Sequence, residues 1–151
     1  SDYTGKYSII PNLKERFIKS DKTSMPKIAG VIGSIEDRKQ THVSIERALK
    51  DECDIIYIFG NVGDPDYYNQ YVSHLIDGNT VIHHGYETNK QKIYDKLQRV
   101  YHSSKGEVAC LIKDECHSTG TQFFGNNETQ HEVSKLTNDE IIDKWLTLLE
   151  V

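Results

Sequence analysis

A doubly wound α/β domain built on a parallel sheet is what this sequence predicts, on three observations. Short apolar runs, 27–33 and 54–59, lack polar alternation, which marks strands buried on both faces. Helix-period segments separate these runs regularly, and strand–helix alternation implies right-handed crossovers between parallel strands. Glycine or proline punctuates most of the junctions, as at Gly33, Gly60 and Pro65. Five to six strands with helices on both faces are expected.

The elements follow in order. Residues 6–10 end at the turn signal Pro11-Asn12, and the polar, basic stretch 13–26 closes at Pro26, so 1–26 reads as a junction or connector segment. The domain proper is expected over 27–151. Its first strand, 27–33, leads into the polar loop 34–40. Thr41 is expected to cap a helix that turns Val43, Ile45, Ala48 and Leu49 inward. The second strand, 54–59, stops at Gly60. Asp64-Pro65 opens a helix, since proline suits a first helical position, with Tyr67, Tyr68, Tyr71, Val72, Leu75 and Ile76 at helical spacing. A third strand over 79–85 and a helix over 89–98 with Ile93 and Leu97 inward come next. A fourth strand over 100–102 precedes a helix from Glu107, and a fifth strand spans 121–124. A last helix begins near 136, with Ile141, Ile142, Trp145 and Leu148 on its inner face.

Composition narrows the function classes. At 151 residues the chain is long enough for one domain with a real core. A net charge of −5 disfavours bulk nucleic-acid binding, which needs clustered cations. Three cysteines at irregular spacing point to free thiols in a reducing compartment. The start, Ser1 to Gly5, is polar without the apolar core of a signal peptide, and no run approaches the roughly 18 apolar residues of a membrane span. A cytoplasmic location is the expectation.

In folds of this class, ligands sit beyond the C-terminal strand ends, at the loops after strands one and four. The first loop, 33–40, carries Gly33 at a sharp strand exit and the cations Arg38 and Lys39, each able to clamp a diphosphate. Glu36 and Asp37 stand beside them, so a solvated and partly neutralised basic pair is the competing reading. After the fourth strand, Ser104 leads to Glu107 and, seven residues beyond it, Glu115, followed by Gly120-Thr121. On one helix those carboxylates lie two turns and about 12 Å apart on nearly the same side. The helix start offers unpaired N–H groups and a positive dipole end to phosphate. A carboxylate there is favourable when it accepts hydrogen bonds from hydroxyls, and a sugar nucleotide brings both phosphate and hydroxyls. Glu132 and Glu140 repeat the spacing without a comparable loop and read as surface residues. No G-x-G-x-x-G is present, which disfavours a nicotinamide or flavin cofactor. Cys110, Cys116 and His117 lack the spacing of a closed zinc site, and His83 and His84 alternate across a strand.

Taken in order, Ile10-Pro11-Asn12, Gly33, Arg38-Lys39, Glu107 and Glu115, Gly120-Thr121 and Glu132 resemble the C-terminal, donor-binding domain of the retaining glycosyltransferases of family 4, half of a GT-B architecture. The resemblance covers nearly the whole chain. It implies a Rossmann-like nucleotide-sugar-binding domain, with no metal or other cofactor and with the donor as substrate. Lys39 matches the lysine on the donor's diphosphate, Glu107 the carboxylate at the sugar hydroxyls, and Glu115 the one at the ribose. The amides of Ala109, Cys110 and Leu111 match the phosphate cradle, with Ser104 on the approach. The exit of strand three, His84-Gly85-Tyr86, matches the place where the base packs. Glu107, Lys39 and Arg38 are thereby the candidate catalytic groups, and Gly33 and Ser34 line the donor site. Three positions depart from the family pattern: Ser34 for an arginine, Cys110 for a glycine and Gln122 for a proline. The family holds its acceptor in an N-terminal domain. The chain is therefore expected to be one half of a two-domain enzyme, inactive alone, with any peripheral membrane association left to the missing half. The alternatives are a non-catalytic nucleotide-binding module of the same fold, or a flavodoxin- or receiver-like signalling domain.

Overall fold

In the computed structural model, residues 16–105 and 111–125 are described. Five parallel strands form one sheet: β1 (Ile28–Ile32), β2 (Ile55–Phe59), β3 (Val81–His83), β4 (Arg99–Tyr101) and β5 (Gln122–Phe124). Their order is β3-β2-β1-β4-β5. This is the Rossmann order, in which the chain turns back between β1 and β4 and opens a crevice at their C-terminal ends. A flavodoxin-like or receiver-like sheet would run 2-1-3-4-5, so topology removes that alternative.

The two-sided burial read from the apolar runs is realised residue by residue. Along β1 and β2, Ala29, Val31, Ile56 and Ile58 join one core cluster, where they meet Ile45 and Ala48 of helix α1 (Thr41–Lys50) and Val72. Ile28, Ile32, Tyr57 and Phe59 face the other side. They pack there with Ile93, Tyr94 and Leu97, from or just beyond helix α3 (Lys90–Lys96), and Cys116 of helix α4 (Leu111–Thr119). The period of two along each strand thus feeds two cores, one per face.

Between β2 and β3 the predicted helix is continuous but irregular. Only Pro65–Tyr67, labelled α2, is α-helical; a π turn, Tyr68–Val72, and a 3-10 turn, Ser73–Leu75, complete it. Tyr67 and Tyr71, four residues apart, share one partner. The Tyr67 hydroxyl lies 2.6 Å from His42 Nδ1, and the Tyr71 ring stacks on the same imidazole at 4.9 Å. One further expectation is corrected. Thr41 is the first residue of α1 and not its cap: Gln40 enters the helix with φ 48°, following a 3-10 turn, Asp37–Lys39, within the polar loop. The first turn of α3 is capped by Asn89, whose side chain accepts from the Lys92 amide at 3.1 Å. The helix expected from residue 136, with Trp145, lies outside the described residues.

The polar stretch before β1 is docked on the α3 face. Lys22 is buried, and its ammonium donates to the carbonyls of Tyr94 and Leu97, the latter at 2.8 Å, and to Thr121 Oγ1 at 2.8 Å. It thus occupies the C-terminal end of α3, where the dipole favours a cation. Burial lowers its pKa from the ordinary lysine value. Gly120-Thr121 meets this same segment rather than the crevice. At φ +76°, Gly120 is so close to the segment that a Cβ there would stand 2.0 Å from the Ser20 carbonyl oxygen. Gly120→Ala is expected to lower stability by about 2–3 kcal/mol, combining left-handed backbone strain with displacement of Ser20. Chemical denaturation checks this: the midpoint should fall at unchanged slope.

Candidate functional site

The C-terminal ends of β1 and β2 open into a pocket of about 360 Å³, within the range of small-ligand sites. Five elements build it. Ile32, Gly33 and Ser34 come from the β1 exit, and Phe59, Gly60 and Asn61 from the β2 exit. Tyr86, Glu87 and Thr88 come from the loop after β3. Lys90, Ile93 and Tyr94 of α3 meet Glu115 of α4 across the floor. Gly33 leaves its strand at φ +128°, the sharp exit expected from sequence. A Cβ on Gly60 would stand 2.0 Å from the Gly33 carbonyl oxygen, so the two strand exits approach as only glycine permits.

The stem of Lys39 lies over Gly33, with Cε 3.8 Å from where a Cβ of residue 33 would be. Lys39 is thereby the basic side chain packed against the β1 exit. Arg38 takes another direction: its Nε lies 3.5 Å from Glu36 Oε1, and its side chain is 57% exposed. The acidic neighbours thus neutralise one cation of the pair. Asp37 pairs with Lys105 at 3.1 Å, while the Lys105 amide donates to the Arg38 carbonyl at 2.9 Å and Ser104 Oγ to the same oxygen at 3.4 Å. The loops after β1 and β4, which sequence placed side by side, are joined by these contacts. Ser104 is buried and serves the joint, not the pocket wall. Arg47 fixes the same exit from below, donating to the His102 carbonyl at 3.2 Å, Ser103 Oγ at 2.9 Å and the Gly125 carbonyl at 2.9 Å.

Two carboxylates line the pocket, Glu87, which accepts from the Asn89 amide at 3.1 Å, and Glu115 on the side of α4. Glu115 is buried, with one oxygen accepting from the Tyr94 hydroxyl at 2.7 Å and the other from the Lys90 ammonium at 2.8 Å. An ionised carboxylate offers about four acceptor positions, so capacity remains for a hydroxyl entering from the pocket. Tyr86 stands at the rim, 68% exposed. The ring of His84 packs on Phe59 with centroids 4.6 Å apart, and His83 Nε2 lies 2.8 Å from the Gly60 carbonyl oxygen, so both histidines have structural partners.

Of the residues singled out from sequence, Gly33, Ser34, Tyr86 and Glu115 line this pocket, and Lys39 packs its stem against Gly33 without lining it. Arg38 and Ser104 lie in the adjoining loops. Leu111 is the first described residue of α4 and is 65% exposed. Glu107, Ala109 and Cys110, like Glu132 and Glu140, lie outside the described residues. Sequence reasoning missed Lys90 and Tyr94. One signal was available for Lys90: a cation at the first position of a helix runs against the dipole and suggests a paired partner. Among the described residues no cluster of three or more His, Cys, Asp or Glu is arranged to hold a metal ion, and Cys53 and Cys116 are buried free thiols. No described helix is long and apolar enough to cross a membrane.

No protein-family model matches the sequence, and no curated protein matches it. Solved structures share the fold. HepE from Anabaena is similar. Its complex with UDP and glucose superposes with a TM-score of 0.56 at 17% identity, over 75% of this chain and 32% of HepE. Its complex with UDP gives 0.56 at 18% identity, over 79% of this chain and 40% of HepE. TarM gives 0.57 at 17% identity, over 91% of this chain and 37% of TarM. This chain therefore spans 32% to 40% of the length of these proteins.

Proposed function

We propose that this chain binds the nucleotide-sugar donor of a glycosyltransferase of GT-B type, and that it acts as one half of a retaining enzyme. The observation that carries the reading is the placement, at the C-terminal strand ends, of a lysine stem against a glycine strand exit and, in the pocket that the same glycine lines, of a buried, anchored carboxylate. A nucleoside diphosphate asks for those two chemistries at two positions, a cation for phosphate and an acceptor for ribose hydroxyls. The sheet order and the likeness in fold to UDP-bound HepE support the same reading.

In this mechanism Lys39 stabilises charge on the departing diphosphate as the glycosidic bond breaks, helped by Arg38 and by the amides of residues 109–111. Glu115 accepts from the ribose, Tyr86 borders the base, and Glu107 orients the donor sugar through its hydroxyls. Bond making needs an acceptor presented by a second domain, so the chain alone binds without turnover. Calorimetric titration with UDP, GDP and ADP tests the reading. Saturable binding of at least one, at micromolar to millimolar concentration, is expected, and no response to any of the three at millimolar levels would refute it.

A further inference from the structure

We infer that Lys90 and Tyr94 are positioning residues that lock Glu115, and that this lock makes the pocket prefer ribonucleoside over 2′-deoxyribonucleoside diphosphates. The inference rests on the reading of the pocket as a nucleotide site. Lys90 and Tyr94 stand four residues apart on α3 and so share one face of the helix. They converge on opposite oxygens of a single carboxylate, at 2.8 Å and 2.7 Å. A glutamate bonded at one oxygen still swings about its last torsion, which is broad; bonded at both, its plane is set and its remaining lone pairs have fixed directions.

Tyr94 can act as such a clamp because it is itself immobilised. It is 1% exposed, the Phe17 ring meets its ring edge-on at 5.9 Å, and its carbonyl accepts from buried Lys22. The two donors do different work. Tyr94 contributes direction without charge. Lys90 contributes direction and also offsets the carboxylate's charge, which would otherwise repel a diphosphate in the same pocket. A fixed acceptor rewards a hydroxyl at the matching position and gains nothing from a ligand that lacks it, so ribose is favoured over deoxyribose.

The test measures affinities for UDP, 2′-deoxy-UDP and inorganic pyrophosphate in the parent, Tyr94→Phe, Lys90→Met and Lys90→Arg, with melting temperature as the control for folding. The parent is expected to prefer UDP over 2′-deoxy-UDP by about tenfold or more. Tyr94→Phe should shrink that ratio to about threefold or less while leaving pyrophosphate affinity unchanged. Lys90→Met should shrink the ratio and also weaken pyrophosphate, and Lys90→Arg should restore both. A Tyr94→Phe variant that keeps the parental ratio overturns the inference. So does one that loses all three ligands equally with a lowered melting temperature, which is the mark of a purely structural role. A parent that binds UDP without preferring it also overturns the inference while sparing the nucleotide reading, whereas a parent that binds no UDP overturns both.

Discussion

Lys39→Ala is expected to weaken nucleoside diphosphate binding by about 10- to 100-fold, the loss of one charge-assisted contact worth roughly 1.5–3 kcal/mol. The stem of Lys39 packs against Gly33 at the end of β1, a residue that lines the pocket. Arg38 cannot take over fully. It is engaged by Glu36 at 3.5 Å, and its planar fork differs from a compact ammonium. Because the diphosphate site is partly open to solvent, binding should weaken with added salt over a Debye length of about 8–10 Å. That salt dependence should be shallower in the variant. Calorimetry at two salt concentrations measures both effects, with Glu132→Ala and Glu140→Ala as substitutions expected to change little. If Lys39→Ala binds as the parent does, the first loop is an ordinary basic surface and the diphosphate assignment fails.

Glu115→Ala is expected to separate two ligands that share phosphates. UDP should bind about 10- to 100-fold more weakly, since the ribose loses a charged acceptor. Pyrophosphate should bind equally well or better. It has no ribose to lose, and the substitution removes a negative charge while leaving the Lys90 ammonium beside the pocket. The variant should also be less stable by about 1–3 kcal/mol, because the buried Tyr94 hydroxyl loses its acceptor. Parallel titrations and a thermal melt read all three effects. Equal losses for UDP and pyrophosphate would mean that Glu115 supports the fold without facing the ribose.

Much of the fold was legible because burial on two faces leaves a direct trace. The runs around Ile28 to Ile32 and Ile55 to Phe59 could be read as central strands, and their neighbours β3, β4 and β5 followed from the alternation. The helix made of α2, a π turn and a 3-10 turn was legible only in outline. Its tyrosine spacing fits a regular helix, and the contacts of Tyr67 and Tyr71 with His42, twenty-five residues before Tyr67, are tertiary and leave no local trace in sequence. Gln40 at φ 48° was equally hidden, since Thr41 is the better cap by residue type and the preceding 3-10 turn overrode it.

The site divides in the same way. Gly33, Ser34, Tyr86 and Glu115 were found because they sit at strand ends or in a spaced motif, places where chain order implies proximity. Lys90, Tyr94 and Lys22 were not, because each acts through a partner more than twenty residues away. A buried lysine in a polar stretch has the sequence signature of a solvated one. Its role is visible only once the carbonyls of Tyr94 and Leu97 are seen around it. Gly120 behaves similarly: known from sequence only as part of a motif, it is required here by the backbone of Ser20.

On the proposed reading, one crevice, walled by the β1 exit, α3 and Glu115, receives a nucleoside diphosphate. Residue-by-residue NMR during the UDP titration tests it most directly. Saturable shifts are expected at Gly33, Ser34, Gly60, Tyr86 and Glu115, with Lys39 moving in step, while Glu52 and Gly78, in the turns that lead into β2 and β3 at the opposite strand ends, stay unchanged. Shifts confined to other surfaces, with Gly33 and Glu115 silent at saturating UDP, would contradict it.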